Sequence, residues 1–194
     1  MNTLPGRNLA GTNDVERTND FYPTPAWATH ALMKREKFEG FIWEPASGKG
    51  DMSKVLEQYC DNVVSSDKDD GPDIYGTGGS DFLKSKDHQC VSNVITNPPF
   101  KFAREFVEKA KIVSDKKIAM FLKIQFLEGI GRYDFFQDKE FPLSKVWVFS
   151  KRVTLYKDGE RNGMGTGTMC FAWFIWDKEH AGEPTIGWIN DTGK

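Results

Sequence analysis

The chain has 194 residues, 39% of them hydrophobic and 13% aromatic. That is enough to bury one domain's core and too apolar for a disordered segment. The formal charge is only −2, but it is uneven: −5 over residues 1–99, +5 over residues 100–161 and −2 over residues 162–194. A basic middle of this kind can meet nucleic-acid phosphates, although solvated helix faces account for the same charges. No apolar run approaches the roughly 20 residues of a membrane span. The polar opening MNTLPGRNLAGTNDVERTND has no apolar stretch of the signal-peptide kind. Cys60, Cys90 and Cys170 are far apart and odd in number. They fit neither a disulfide framework nor a zinc site, which predicts a cytoplasmic protein with no bound metal.

In chain order, residues 1–19 read as a flexible arm and residues 20–194 as a single domain. Pro23-Thr24-Pro25 introduces AWATHALMKREKF, whose spacing predicts a short amphipathic helix with Thr24 near its cap. FIWEPASGKGDMSKVLEQY reads as a strand, a glycine turn and a helix, and DNVVSSD as a second buried strand. DKDDGPDIYGTGGSDF is rich in turn residues and can hold only short structure. VSNVIT is the next strand, KFAREFVEKAKIV a helix, KKIAMFLKIQF a strand and GRYDFFQDK a further helix. KVWVFS and RVTLY are short strand candidates, followed by the loop KDGERNGMGTGT and the aromatic strand TMCFAWFIWD. The alternation predicts a doubly wound α/β sheet, and the last strands, with no helix between them, an antiparallel hairpin at one edge.

Four features carry chemistry. Glu44-Pro45-Ala46-Ser47-Gly48-Lys49-Gly50-Asp51 follows the first strand, and glycines there let a backbone approach a ligand. It contains GxG but neither a full dinucleotide fingerprint nor a P-loop, so taken alone it reads as a structural turn. Asp67 ends the next strand roughly 20 residues later, where nucleotide-binding folds place a carboxylate on ribose hydroxyls; a solvated loop acid is the alternative. Asp81 in GGSDF could accept from an adenine amino group. Asn97-Pro98-Pro99-Phe100 is the unusual element, because two prolines remove two backbone donors directly after a strand. The Asn97 side chain and the Pro98 carbonyl are acceptors for an amino group, and Phe100 can stack on a planar ring. A stiff strand terminator with a core Phe is the other reading.

In this order and spacing, the four features resemble the S-adenosylmethionine-dependent N6-adenine DNA methyltransferases, especially small phage and prophage types. Phe21 to Pro25 look like the N-terminal cofactor motif of that family, and Asn97 to Phe100 match its (D/N)PP(Y/F) motif; FLEGIGRYDFF and FSKRVTLY are similar too. The resemblance covers about residues 20–176. It implies a Rossmann-like class I methyltransferase fold: a mostly parallel seven-stranded sheet with an antiparallel edge hairpin and helices on both faces. It implies S-adenosyl-L-methionine as cofactor, bound by Tyr22, Pro23, Thr24, Glu44, Pro45, Ala46, Gly48, Gly50, Asp67, Asp81, Phe82 and Asn97. Catalysis would fall to Asn97, Pro98, Pro99 and Phe100, acting on a flipped adenine of DNA. Lys101, Arg132, Arg152, Lys157 and Arg161 would contact nucleic acid. The chain has little left for a separate target-recognition domain, and a monomer or weak dimer is expected. RNA adenine or a protein amide remains an alternative acceptor, since each presents a planar amino group. A non-catalytic binding protein on the same fold is the rival from another class.

Overall fold

The structure, a computed structural model, describes residues 22–85, 91–156, 159 and 169–191. Among these, seven strands form one sheet: β1 (Ile42–Glu44), β2 (Val63–Ser65), β3 (Val91–Thr96), β4 (Ser114–Lys123), β5 (Leu143–Phe149), β6 (Phe171–Asp177) and β7 (Thr185–Ile189). Their spatial order is β2-β1-β3-β4-β6-β5-β7. The pairs β1/β2, β1/β3, β3/β4 and β5/β7 are parallel, whereas β6 is antiparallel to both β4 and β5. One reversed strand therefore sits in an otherwise parallel sheet.

The helices are α1 (Ala26–Met33), α2 (Ser53–Leu56), α3 (Ala103–Val113) and α4 (Tyr133–Phe136). In α3, Ala103, Phe106, Val107, Ala110 and Val113 recur at helical spacing and are buried, while Arg104, Glu105 and Glu108 face outward. That stripe packs on Val94, Ile118, Met120, Leu122, Phe174 and Trp176 of the sheet. The opposite face carries Ala28, Ala31 and Leu32 of α1 and Leu56 of α2 against Ile95, Ala119, Phe121, Phe171, Trp173 and Ile175. Strands β4 and β6 thus alternate side chains between two apolar layers, which is why both read as continuous hydrophobic runs. Each large side chain buried this way contributes about 1.5–3 kcal/mol. The Trp173 indole N–H, fully buried, donates to the Ala28 carbonyl at 2.9 Å and so ties α1 to the sheet.

Two late elements differ from the sequence reading. Residues 152–155 of RVTLY are not a strand; Val153 and Leu155 are instead fully buried against the α1 layer. The outer edge of β5 is taken by β7, parallel from Lys145↔Thr185 to Phe149↔Ile189, so the antiparallel pair β5/β6 lies one strand in from the edge. Gly187 makes the β7 sequence look unlike a strand, but a Cβ there would come within 2.3 Å of the Trp147 indole. The glycine leaves room for the ring of its cross-strand partner. In the turn-rich segment after β2, only the isolated parallel bridge Ser66↔Thr77 forms.

Candidate active site

The sheet order reverses direction between β1 and β3, and ligands of open α/β sheets bind outside the carboxyl ends at such a switch point. Glu44 ends β1 and Asn97 follows β3, and the Trp43↔Val94 register brings both to the same end of the sheet.

The turn after β1 is held from several directions. The Ser47 N–H donates to the Ser66 carbonyl at 3.0 Å, and its hydroxyl to the Tyr75 carbonyl at 2.7 Å. The Gly48 N–H donates to Asp67 Oδ2 at 2.8 Å, and the Tyr75 N–H donates back to the Gly48 carbonyl at 2.8 Å. Gly48 and Gly50 adopt φ of 50° and 82°, a region that side chains disfavour. A Cβ on Gly50 would lie 2.4 Å from the Tyr75 ring. Pro45 is buried and Ala46 packs on the α3 layer. The result is a rigid, backbone-lined cradle, which is what a ligand's polar tail needs.

Glu44 is almost fully buried and accepts from the Ser53 hydroxyl, which in turn accepts from Ser65 at 2.7 Å. Burial pushes its carboxyl well above the usual range; Asp67 and Asp51 add to the rise, and the Ser53 hydrogen bond opposes it. Asp67 uses Oδ2 for Gly48 and Oδ1 for the Asp69 N–H at 2.9 Å, leaving one further acceptor direction on each oxygen. Asp81 accepts from the Leu83 N–H at 3.1 Å and pairs with Lys84 at 3.5 Å. The Phe82 ring points into the core, edge-on to Trp43 at 5.1 Å, so its side chain is spent on packing.

At the end of β3, the Asn97 side-chain Nδ2 donates to the Tyr22 carbonyl at 3.0 Å. Its Oδ1 is buried and has no hydrogen-bond partner among the described residues. An unpaired buried acceptor costs about 1–3 kcal/mol unless something donates to it. Thr24, buried at the start of α1, and Thr96 carry orphaned hydroxyls as well. Pro98 is buried and Pro99 exposed, and Pro99 caps the turn in an extended conformation at φ −53°, ψ 122°. The Phe100 ring lies half-buried, 6.5 Å from Tyr22 and 5.6 Å from Phe171. Lys123 Nζ stands 4.5 Å from its centroid. Pro23 lies near Gly159, where a Cβ would be 3.5 Å from its ring.

The expected nucleic-acid contacts are less uniform. Lys101 is exposed, with its ammonium 4.8 Å from the Phe102 ring centroid. Arg132 folds back onto the Glu128 carbonyl and over the Phe126 ring at 4.9 Å, so it shapes its own loop. Arg152 is exposed. Lys157 and Arg161 lie outside the described residues. Sequence reading missed Lys123, Tyr75, Ser53 and Phe171. Only the lysine carried a usable signal, as a charge directly after the apolar run Ile118 to Leu122 of β4.

No protein-family model matches the sequence, and no curated protein matches it. Solved structures do share the architecture. A chain described as a modification subunit of a type I restriction enzyme from Vibrio vulnificus superposes with a TM-score of 0.62 at 13% identity, covering 88% of this chain and 47% of that one. The methyltransferase subunit of a type I restriction-modification system from Streptococcus thermophilus gives 0.54 at 12% identity, covering 80% and 43%. A chain described as an RNA methyltransferase from Pyrococcus horikoshii gives 0.58 at 17% identity, covering 81% and 86%. The present chain spans less than half the length of the two restriction-modification subunits. Identities this low carry the architecture alone: the chain has the Rossmann-like fold of class I methyltransferases, with a seven-stranded, mostly parallel sheet.

Proposed function

We propose that the protein transfers a methyl group from S-adenosylmethionine to the N6 amino group of adenine in DNA. The observation that carries this reading is the orphaned Asn97 Oδ1, a buried acceptor held on a double-proline turn at the switch point. The restriction-modification subunits among the structural neighbours agree with a nucleic-acid acceptor.

The residues present fit the cofactor. Gly48 and Gly50 hold positive φ of 50° and 82° in a turn braced by Tyr75 and Asp67, and Asp67 keeps free acceptor directions. Glu44, Pro45, Ala46, Gly48 and Gly50 would take its amino-acid end, Asp67 its ribose, and Asp81 with the Phe82 main chain its adenine. Tyr22, Pro23 and Thr24 would close the near side. When bound, the cofactor supplies an electrophilic methyl group.

The chain's own part is positioning. Asn97 Oδ1 and the Pro98 carbonyl accept the two N6 protons of a base flipped from the duplex, which turns the amino lone pair toward the methyl donor. Because neither proline carries an N–H, the Pro98-Pro99 step presents no backbone donor, which favours an amino group over a carbonyl. Phe100 stacks on the base. Lys101 and Arg152 lie on the surface for phosphate contact, with Lys157 and Arg161 assigned the same role from sequence.

RNA adenine shares the same amino group, and the Pyrococcus neighbour keeps it as a second reading. Expression in cells lacking adenine methylation, followed by nucleoside mass spectrometry of separated DNA and RNA, tests both. N6-methyladenine in DNA is the expected result. A signal confined to RNA rejects the DNA assignment, and no signal in either rejects the activity.

A further inference from the structure

We infer that Lys123 is a substrate-phosphate ligand, and hence that the site takes a nucleotide within a nucleic acid and not a protein amide. This rests on the acceptor reading above. Three groups surround the Phe100 ring: Tyr22 at 6.5 Å, Phe171 at 5.6 Å and the Lys123 ammonium at 4.5 Å. Two of them are fixed. Phe171 is buried and stacked on Phe121 at 5.1 Å with an interplanar angle of 13°. Tyr22 is tied through its carbonyl to Asn97. Lys123 sits directly opposite Phe171 in the β4/β6 register, so its stem rises on the same side of the sheet and its head reaches over Phe100.

Lys123 has no carboxylate partner among the described residues, whereas Lys116 and Lys117 of the same strand both have one; Lys54 and Lys101 likewise lie over rings. The Lys123 ammonium lies over the Phe100 ring at 4.5 Å, where the ring quadrupole attracts it. A planar base that stacks on Phe100 takes that place, and Lys123 alone can leave without uncovering the core. The displaced ammonium then needs an anion within the sweep of one side chain. A nucleotide brings a phosphate attached to the same sugar as the stacked base. A glutamine or asparagine side chain brings none. The arrangement works as an exchange in which the base takes the ring and the phosphate takes the lysine.

The test uses the full chain as wild type, Lys123→Met, Lys123→Gln and Lys123→Arg, each checked by thermal melting. Fluorescein-labelled DNA duplex and RNA of the same adenine-containing sequence are titrated by anisotropy over a range of salt. Both neutral variants should bind about tenfold more weakly, the weight of one charge-assisted hydrogen bond. The slope of log K against log salt should flatten by about 0.7–0.9, one phosphate. Lys123→Arg should stay within about twofold, and the polymer showing the lost slope is the source of the phosphate. Unchanged affinity and slope in the neutral variants overturn the assignment. If the wild type still forms N6-methyladenine in that case, the acceptor reading survives without it. A wild type that binds neither polymer overturns both.

Discussion

The Asn97 side chain donates to the main-chain carbonyl of Tyr22 at 3.0 Å, across 75 residues of sequence, and so fixes which end of its amide remains unpaired. The free end is the oxygen. Asn97→Asp keeps the shape but sets a carboxylate oxygen against the Tyr22 carbonyl, which repels it. Methyl transfer should then fall on the order of 100-fold, the cost of misplacing a reacting group by about 1 Å. Calorimetric affinity for S-adenosylmethionine should stay within about threefold. A variant with wild-type transfer would show that the amide orientation does not matter.

The glycine cradle makes a steric prediction. Gly50→Ala places a Cβ 2.4 Å from Tyr75 at φ 82°, and should cost about 1–3 kcal/mol in urea unfolding together with most of the cofactor affinity. Gly71, where a Cβ meets nothing within 4 Å, is the control, and Gly71→Ala should stay within about 0.5 kcal/mol. Equal effects at the two positions would remove the cradle from the account.

Glu44 predicts a pH dependence. Burial raises its folded-state pKa above the unfolded value near 4.5, so the folded chain holds the proton more tightly. Its contribution to stability is fully present below that unfolded value and is lost as pH rises through the folded one. Gln can still accept from Ser53 but cannot ionise. Glu44→Gln should therefore gain stability relative to wild type as pH rises above about 4.5. Parallel melting profiles across that range would contradict the shift.

Asp138 has the opposite sign. Burial pushes its carboxyl up, but Lys111 at 2.7 Å and the Glu140 and Phe141 N–H groups outweigh burial and hold it below 3.8. This contribution is present above about pH 3.8 and is lost as pH falls through the depressed folded value. Lys111→Met should lower the melting temperature at neutral pH, with the deficit shrinking as the pH drops below about 3.8. A deficit independent of pH would assign the loss to the contact of Lys111 with the Phe135 ring at 5.1 Å.

Much of the architecture was legible because apolar runs alternate with turn-rich or helical segments up to Lys123. The strand candidates there coincide with β1 to β4, and α3 declares itself by its apolar stripe. Strand β7 was not legible, because Gly187 hides it until one knows that Trp147 lies across from it. RVTLY misled for the converse reason: its alternating apolar residues Val153 and Leu155 are buried against the α1 layer without forming a strand. At the site, the positions of Asn97 and Gly50 follow from local sequence. The Tyr22 carbonyl that orients Asn97, and the Lys123 ammonium over Phe100, come from distant strands and loops. Only the topology reveals them.

The most direct measurement is a single-turnover reaction of the purified protein with radiolabelled S-adenosylmethionine and DNA duplexes that differ only in whether they contain adenine. Label should enter the adenine-containing duplex as N6-methyladenine, and Asn97→Ala should abolish it while cofactor binding persists. Label in the adenine-free duplex, or none in either from a protein that binds the cofactor, would contradict the proposed reaction.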